Sequence, residues 1–179
     1  MAIAPYPKEL ESTERLRDGT MLRLRPLRPE DEPLLHDLAA HMSHEDLRLR
    51  FFTPVQGLSH GVAARLSQLD YDRELALLAE LDGIALGVAH FFADPDRLRA
   101  EYAIVVRSDW KGRGIGYLLM TRLTHIAGRR GIGELIGEVL RENQPMLQMC
   151  RELGFSMVSQ PADPTIVLVK KILNDHVAD

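Results

Sequence analysis

The 179-residue sequence contains a single cysteine and few aromatic residues, only 6%. Because one cysteine cannot form an internal disulfide, the fold depends on an ordinary hydrophobic core, and a reducing compartment is favoured. The sequence also lacks an apolar run long enough to span a membrane. Its first eight residues lack the apolar centre of a signal peptide. We therefore expect a cytoplasmic protein with no membrane partner.

An excess of positive charge is also missing. The chain carries 22 basic and 26 acidic residues, a formal charge of −4. Nucleic-acid binders usually present a basic face, so we expect no nucleic-acid partner. The closely spaced His36, His41 and His44 lack the i, i+4 spacing and third ligand of a zinc site, and we predict no metal. The length and the apolar content of 45% are typical of one globular domain.

One stretch in the middle of the chain has the features of an anion-binding loop. An apolar, β-rich run at residues 102–106 is followed by a polar turn and then by Gly112, Gly114 and Gly116. An amphipathic helical pattern begins at once. Glycines let the backbone approach an anion closely, and the N–H groups at a helix start bind phosphate. The spacing excludes the dinucleotide fingerprint, whose third glycine would fall at Tyr117 or Leu119. It also excludes the nucleotide P-loop, which needs Lys and then Ser or Thr where Tyr117 and Leu118 stand. The alternative is a plain tight turn before a helix.

The remaining patterns predict strands and helices in alternation. Asp82-Gly83 between two apolar runs is a strong hairpin signal. We predict strands at 21–27, 74–81, 84–92, 102–106, 134–140, 155–158 and 165–169. We predict helices from Pro29, from Ser43 to Phe52, from Ser59, from Gly114 to Gly128, and from Asn143 to a C-cap at Gly154. This order indicates a mixed sheet with helices on both faces.

The glycine loop carries a family resemblance. Lys111, Gly114 and Gly116 fit a pattern of a basic or amide residue, two spacers, Gly, one spacer, and Gly or Ala. The segment resembles the acetyl-CoA pyrophosphate loop of GNAT-type N-acetyltransferases, which usually have Gln or Arg at the first position. Leu153-Gly154-Phe155 matches a tripeptide common near the end of that fold. The resemblance implies an α/β (α+β mixed) GNAT-like fold, with a central, mostly antiparallel sheet of six to seven strands.

Three further segments narrow the resemblance. Pro5-Tyr-Pro7, residues 24–31 and residues 47–52 resemble the acetyltransferase domain of bacterial protein lysine acetyltransferases. This implies acetyl-CoA as co-substrate and a protein substrate such as an acyl-CoA synthetase. In such relatives the domain is often fused to a larger regulatory region, so the chain is either free-standing or excised. We divide it into an N-terminal arm (1–18), an acetyltransferase domain (19–173) and a C-terminal tail (174–179).

Glu101 is the candidate general base. A lysine amine has an ordinary pKa of about 10.4, so a base is useful near neutral pH. Glu101 alternates with Ala103 and Val105 on an otherwise apolar strand, and we expect its carboxylate to be partly desolvated. The resemblance also implies a catalytic Glu at this place. The alternative is an edge-strand charge paired with Arg97 or Arg99.

The resemblance further implies how acetyl-CoA is held. The main chain of Ile104, Val105 and Val106 would bind the pantetheine arm and the thioester oxygen. The side chains of Lys111 and Arg113 would add positive charge at the pyrophosphate. The backbone N–H groups that would bind it belong to Lys111, Gly112, Arg113, Gly114, Ile115 and Gly116. Asn143 stands where the family often has an Asn near the cofactor arm, and it is equally an N-cap candidate.

Cys150 marks a departure from the family pattern. The family often has a Tyr seven residues beyond the Asn, which protonates the leaving thiolate. A thiol with an ordinary pKa of about 8.5 could donate a proton, but buried cysteines usually behave as small apolar residues. We favour packing.

These features together predict an acetyl-CoA-dependent N-acetyltransferase that acts by direct attack in a ternary complex. The expected acceptor is a protein lysine. Two alternatives stay open at this point: acetylation of a small amine, and a non-catalytic acyl-CoA-binding or sensor module.

Overall fold

The structure is a computed structural model that describes residues 5–51 and 71–173. The strands are β1 (Ser12–Arg15), β2 (Met21–Pro26), β3 (Glu74–Leu81), β4 (Ile84–Ala93), β5 (Arg99–Val106), β6 (Glu134–Leu140), β7 (Ser156–Ser159) and β8 (Ile166–Ile172). The α-helices are α1 (Glu32–Ala40), α2 (His44–Phe51), α3 (Ile115–Arg129) and α4 (Gln144–Glu152). Short 3-10 turns lie at Lys8–Leu10, Pro29–Asp31 and Ser108–Trp110.

Over the described residues, the strands form one sheet in the order β1-β2-β3-β4-β5-β6-β8-β7. All neighbouring pairs are antiparallel except β5 and β6, which run parallel. This confirms the predicted mixed, mostly antiparallel sheet. The predicted hairpin is also present. Asp82 and Gly83 both have positive φ, at 50° and 78°, as a two-residue type I′ turn requires.

The first strand of the sheet was not predicted. β1 lies within the segment that the sequence indicates as a polar arm, and it pairs with β2 from Ser12–Leu24 to Arg15–Met21. Its side chains alternate between half-buried and exposed, because it covers one edge of the sheet. The strand is short and has only one apolar neighbour at its end, Leu16, so its period-2 signal is weak. The sheet therefore has eight strands in the described residues, one more than the predicted maximum.

Helices cover both faces of the sheet. Alternate residues of β3 point to opposite faces. Leu75 and Leu77 belong to a core that includes the apolar side of α3. Ala76 and Leu78 belong to a second core that includes residues of α1 and α2. The predicted helix from Ser59 lies outside the described residues. None of the described helices is long and apolar enough to cross a membrane.

Candidate active site

The site lies where β5 and β6 separate. The two parallel strands pair only through Arg99–Glu134, Ala100–Leu135 and Glu101–Ile136, although both strands continue beyond these residues. After Glu101, β5 still pairs with β4, and β6 still pairs with β8. The main-chain groups of β5 that face β6 are therefore free to bind a ligand in the gap. Ile104, Val105 and Val106, the residues expected to hold the pantetheine arm, all lie on this stretch.

A cavity of about 360 Å³ occupies this gap. Side chains from α2, β4, β5, β6 and α4 line it: Leu49, Arg50, His90, Phe92, Glu101, Tyr102, Ala103, Ile104, Glu138, Val139, Asn143 and Met146. The lining is apolar where the strand side chains meet α4, and it carries two carboxylates where β5 and β6 part. The cavity thus combines apolar lining residues with two carboxylates at its opening, a mixture typical of ligand sites.

The glycine loop lies at the end of β5 and leads into α3. Gly112 and Gly114 have φ values of 79° and 92°, in the left-handed region that favours glycine. Gly114 is the N-cap residue of α3, and Leu118 is the first residue whose N–H bonds back to it. In the described part of the chain, no backbone N–H of residues 111–114 donates a hydrogen bond. These free N–H groups and the helix dipole form a site suited to a diphosphate.

Two basic side chains of this loop have internal partners. Lys111 Nζ lies 2.7 Å from Asp46 Oδ1 in α2. The Arg113 guanidinium lies 4.2 Å from the centre of the Trp110 ring and 4.0 Å from an Asp18 oxygen. Both charges are therefore held at the loop, as expected for groups that add charge at a phosphate site.

Asp46 connects α2 to the glycine loop. Besides Lys111, it accepts a hydrogen bond from Ser108 Oγ at 2.6 Å, and its own N–H bonds to Ser43 Oγ at 3.0 Å. The second contact confirms Ser43 as the predicted N-cap of α2. Burial alone would raise the pKa of Asp46, but the hydrogen bonds from Lys111 and Ser108 outweigh it and lower that pKa. Asp46 is therefore an anchored carboxylate beside the phosphate-binding loop.

Glu101 is at the polar opening of the cavity. Its side chain is exposed, so the expectation of partial desolvation is wrong, whereas Ala103 and Val105 on the same face of β5 are half-buried. Among the described residues it has no side-chain hydrogen bond or ion pair. The alternative partners are engaged elsewhere, Arg97 with Asp72 and Arg99 with Glu134, each at 2.7 Å. Glu101 is thus an exposed carboxylate at the opening of the cavity, with no side-chain partner among the described residues.

The other candidates lie on α4. Asn143 is the N-cap of this helix, and its Oδ1 accepts a hydrogen bond from Met146 N–H at 3.3 Å. It also lines the cavity, so the two interpretations of Asn143 are compatible. Cys150 is fully buried, and its Sγ lies 3.2 Å from the Tyr102 hydroxyl. Burial raises the pKa of its thiol, which is consistent with the packing interpretation.

The sequence profile of the acetyltransferase (GNAT) family matches residues 40–155, which include every site residue described above except Asp18. The chain belongs to the GNAT family. GNAT proteins are acetyltransferases that use acetyl-CoA, and the free N–H groups of the glycine loop and the gap after Glu101 fit that co-substrate. We find no cluster of three potential metal ligands in the part of the chain that is described.

Relatives of this GNAT protein cover most of its length. An acetyltransferase of Pseudomonas aeruginosa is 28% identical over 159 residues, covering 87% of this chain and 86% of the relative. The crystal structure of the GNAT domain of the Streptomyces lividans protein acetyltransferase superposes with a TM-score of 0.88 and 26% identity, covering 94% of this chain and all of that domain. An acetyltransferase of Salmonella typhimurium solved with acetyl-CoA has a TM-score of 0.70 and 19% identity over 88% of this chain and 96% of that one, which shows the fold alone.

Several residues of this GNAT site were missed in the sequence. Tyr102, His90 and Glu138 line the same cavity as Glu101, and Asp46 contacts Lys111. Strand alternation alone would have placed Glu138 on the same face of β6 as Ile136, the partner of Glu101. By contrast, the Lys111–Asp46 contact joins residues 65 positions apart, and no local pattern indicates it.

The two arginines near the cavity differ from each other. Arg48 bonds to Glu45 at 2.6 Å and to Glu142 at 2.7 Å, so it ties α2 to the loop after β6. Arg50 lines the cavity, and burial lowers its pKa. Arg50 therefore lines the cavity, whereas Arg48 links α2 to the loop after β6.

Proposed function

We propose that this GNAT protein transfers the acetyl group of acetyl-CoA to the side-chain amine of a lysine in a protein substrate. The observation that carries the proposal is the exposure of Glu101, a carboxylate without a side-chain partner in the described residues, at the opening of the donor cavity. A lysine on a folded protein can reach such a group only if it lies near the surface.

The comparison with the Streptomyces lividans protein acetyltransferase domain supports the same acceptor class. It covers nearly the whole chain at 26% identity, and that relative is a protein acetyltransferase. An acyl-CoA synthetase remains the partner that the sequence predicts. A cytoplasmic location remains a prediction of the sequence as well.

In the proposed mechanism, each part of the site has a role. The N–H groups of the glycine loop bind the pyrophosphate, with Lys111 and Arg113 adding charge. The unpaired main chain of β5 at Ile104–Val106 orients the thioester and polarises its carbonyl. Glu101 accepts the proton of the amine, directly or through one water, so that the neutral amine attacks. Asn143 fixes the start of α4 beside the pantetheine arm.

The test compares the wild-type protein with Glu101→Gln. Release of free CoA from acetyl-CoA is measured with a purified bacterial acyl-CoA synthetase, with spermidine and with glucosamine as acceptors. We expect turnover on the protein, and a loss of roughly 10²-fold or more in kcat for Glu101→Gln, because a positioned base contributes that much. Binding of CoA, followed by calorimetry, should be unchanged, because the substitution removes a charge at the acceptor opening and leaves the glycine loop intact.

Each other outcome identifies a different function. Turnover on spermidine or glucosamine alone would replace the acceptor and keep the mechanism. A specific observation makes the polyamine worth including, since Glu138 adds a second exposed carboxylate to the same cavity. Binding of CoA without turnover on any acceptor would favour the sensor module instead.

A further inference from the structure

A second proton-transfer group lies on the other side of β5 from Glu101. Consecutive residues of a strand point to opposite faces, so the side chain of Tyr102 points away from Glu101. Its hydroxyl lies 3.2 Å from Cys150 Sγ and 4.0 Å from Met146 Sδ, both on α4. Tyr102 also lines the cavity between β5 and β6. Glu101 and Tyr102 therefore lie on opposite faces of β5, just before the stretch that would hold the thioester.

Three neighbouring positions make room for this ring. Cys150 on α4 is a small side chain in contact with the Tyr102 hydroxyl. Gly137 on β6 has no Cβ, and a Cβ built there would overlap the Tyr102 ring. Phe155 holds the other side of the ring, with the two ring centres 5.7 Å apart. A large residue on β5 thus fills the space left by a small residue on α4 and by a glycine on β6.

The surroundings keep the Tyr102 hydroxyl protonated. The residue is buried, with only 8% of its surface exposed. Burial raises the pKa of the phenol well above its ordinary value, and the neighbouring Cys150 acts in the same direction. Among the described residues, Cys150 is the titratable group in contact with the hydroxyl, while the other packed neighbours, Met146, Gly137 and Phe155, carry no charge. The phenol is a proton donor at neutral pH.

We propose that Tyr102 donates a proton to the sulfur of CoA as CoA leaves, a role for which the sequence offers Cys150 while favouring packing there. The inference depends on the proposed acetyl transfer. The amine nitrogen bonds to the acetyl carbon and gives its proton to Glu101. The carbon–sulfur bond breaks with its electron pair on sulfur, and the Tyr102 oxygen gives its proton to that sulfur. Water then returns a proton to the phenolate and removes the proton from Glu101.

The strand geometry explains why one residue serves the amine and the next serves the thiol. Attack and departure occur on different sides of the acetyl carbon, so the base and the acid must be on different sides of the thioester. Adjacent positions on one extended strand meet this requirement. Cys150 meets it less well, because the Tyr102 hydroxyl lies 3.2 Å from its sulfur and Tyr102, unlike Cys150, lines the cavity.

The first test uses Tyr102→Phe, which keeps the ring and removes only the hydroxyl. Its kcat is measured with acetyl-CoA and with the acetyl selenoester of CoA, using the acceptor that supports wild-type turnover. We expect a loss of roughly 10²-fold with acetyl-CoA and about the wild-type rate with the selenoester. A selenolate is a much weaker base than a thiolate and leaves without needing a proton. Thermal unfolding of the variant confirms that the ring packing is kept.

The second test needs no turnover. Both chains carry Cys150→Ala, so that bound CoA holds the only thiol, and its pKa is read from the pH dependence of its rate of alkylation. A hydrogen bond from the phenol stabilises the CoA thiolate, so we expect the pKa of the bound CoA thiol to be lower with Tyr102 than with Tyr102→Phe.

Either test can overturn the inference. In the first test, the contradicting result is that Tyr102→Phe loses kcat equally on both donors or on neither. In the second test, it is an equal pKa of the bound CoA thiol in the two chains. Either one would show that the hydroxyl serves packing alone. Failure of the proposed function is a separate result, because it would appear as a wild-type chain that turns over no acceptor while the thiol titration remains measurable.

Discussion

In the proposed function the glycine loop is the donor end of the site and the cavity opening at Glu101 is the acceptor end, and the two ends differ in how their charges are held. At the donor end, Lys111 contacts Asp46, and Arg113 lies over Trp110. At the acceptor end, Glu101 and Glu138 are exposed and have no side-chain partner among the described residues. The first arrangement is fixed before any ligand binds. The second leaves two negative charges for an incoming group to neutralise.

The difference matches what each end has to recognise. The donor is one molecule with one diphosphate, so charges fixed in advance reduce the cost of ordering them on binding. The acceptor must bring a positive charge, lose a proton and react, so unpaired carboxylates favour a cationic amine and are available to accept that proton. The same physical argument predicts that substitutions at the two ends will affect different kinetic constants.

Lys111→Ala is the strongest test of the donor end. We expect the KM for acetyl-CoA to rise by roughly tenfold, because a charge-assisted contact to phosphate is worth about 1.5–3 kcal/mol and Lys111 must share its charge with Asp46. The kcat should change little. Steady-state kinetics with varied acetyl-CoA measures both constants. The matched control is Arg113→Ala, where we expect a smaller rise in KM because Arg113 stays close to Trp110. A larger rise for Arg113→Ala than for Lys111→Ala would show that Arg113 is the main phosphate contact.

Asp46→Asn tests whether Asp46 holds Lys111 in place before acetyl-CoA binds. We expect the free energy of unfolding at neutral pH to fall by about 1 kcal/mol, because the buried carboxylate loses its charged contact with the half-exposed Lys111. The pKa of Asp46 is lowered in the folded chain. Its contribution is therefore present above the ordinary pKa of about 3.9 and is lost as the pH falls through the folded value. Urea unfolding at neutral and acidic pH measures the change.

The control for this prediction is Asp109→Asn. Asp109 lies on the same 3-10 turn as Ser108, and its exposed carboxylate pairs with Arg107. We expect the substitution to leave stability nearly unchanged, because exposed ion pairs contribute little. A loss at Asp46 that persisted at a pH below the folded pKa would contradict the electrostatic explanation.

Local chemistry made much of the fold predictable. The Asp82-Gly83 turn, the glycines before α3 and the Asn143 and Ser43 caps each depend on residues close together in sequence, and all of these elements are present. β1 was missed because four residues with weak alternation indicate a strand only when β2 is beside them.

The site was less predictable, for a related reason. The pattern on β5 correctly indicates a polar residue ahead of an apolar strand, but the burial of Glu101 depends on where β6 ends its pairing with β5. The partnership of Tyr102, Gly137 and Cys150 joins three elements, and sequence alone shows only the missing tyrosine at Cys150. Contacts between distant residues therefore decide the electrostatics that local patterns leave open.

The smallest effect is expected at the second carboxylate of the acceptor end. Glu138→Gln should raise the KM for a cationic acceptor by about twofold to fivefold, because an exposed charge attracts an amine by only about 0.2–1 kcal/mol. The KM for acetyl-CoA should not change, since Glu138 lies on β6, whereas the glycine loop follows β5. The measurement is a pair of saturation curves, one for each substrate, at low and high salt. The acceptor effect should shrink at high salt, because ions screen exposed charges. An effect on acetyl-CoA instead would show that the two ends are not separated as the contacts of Lys111 and Glu101 indicate.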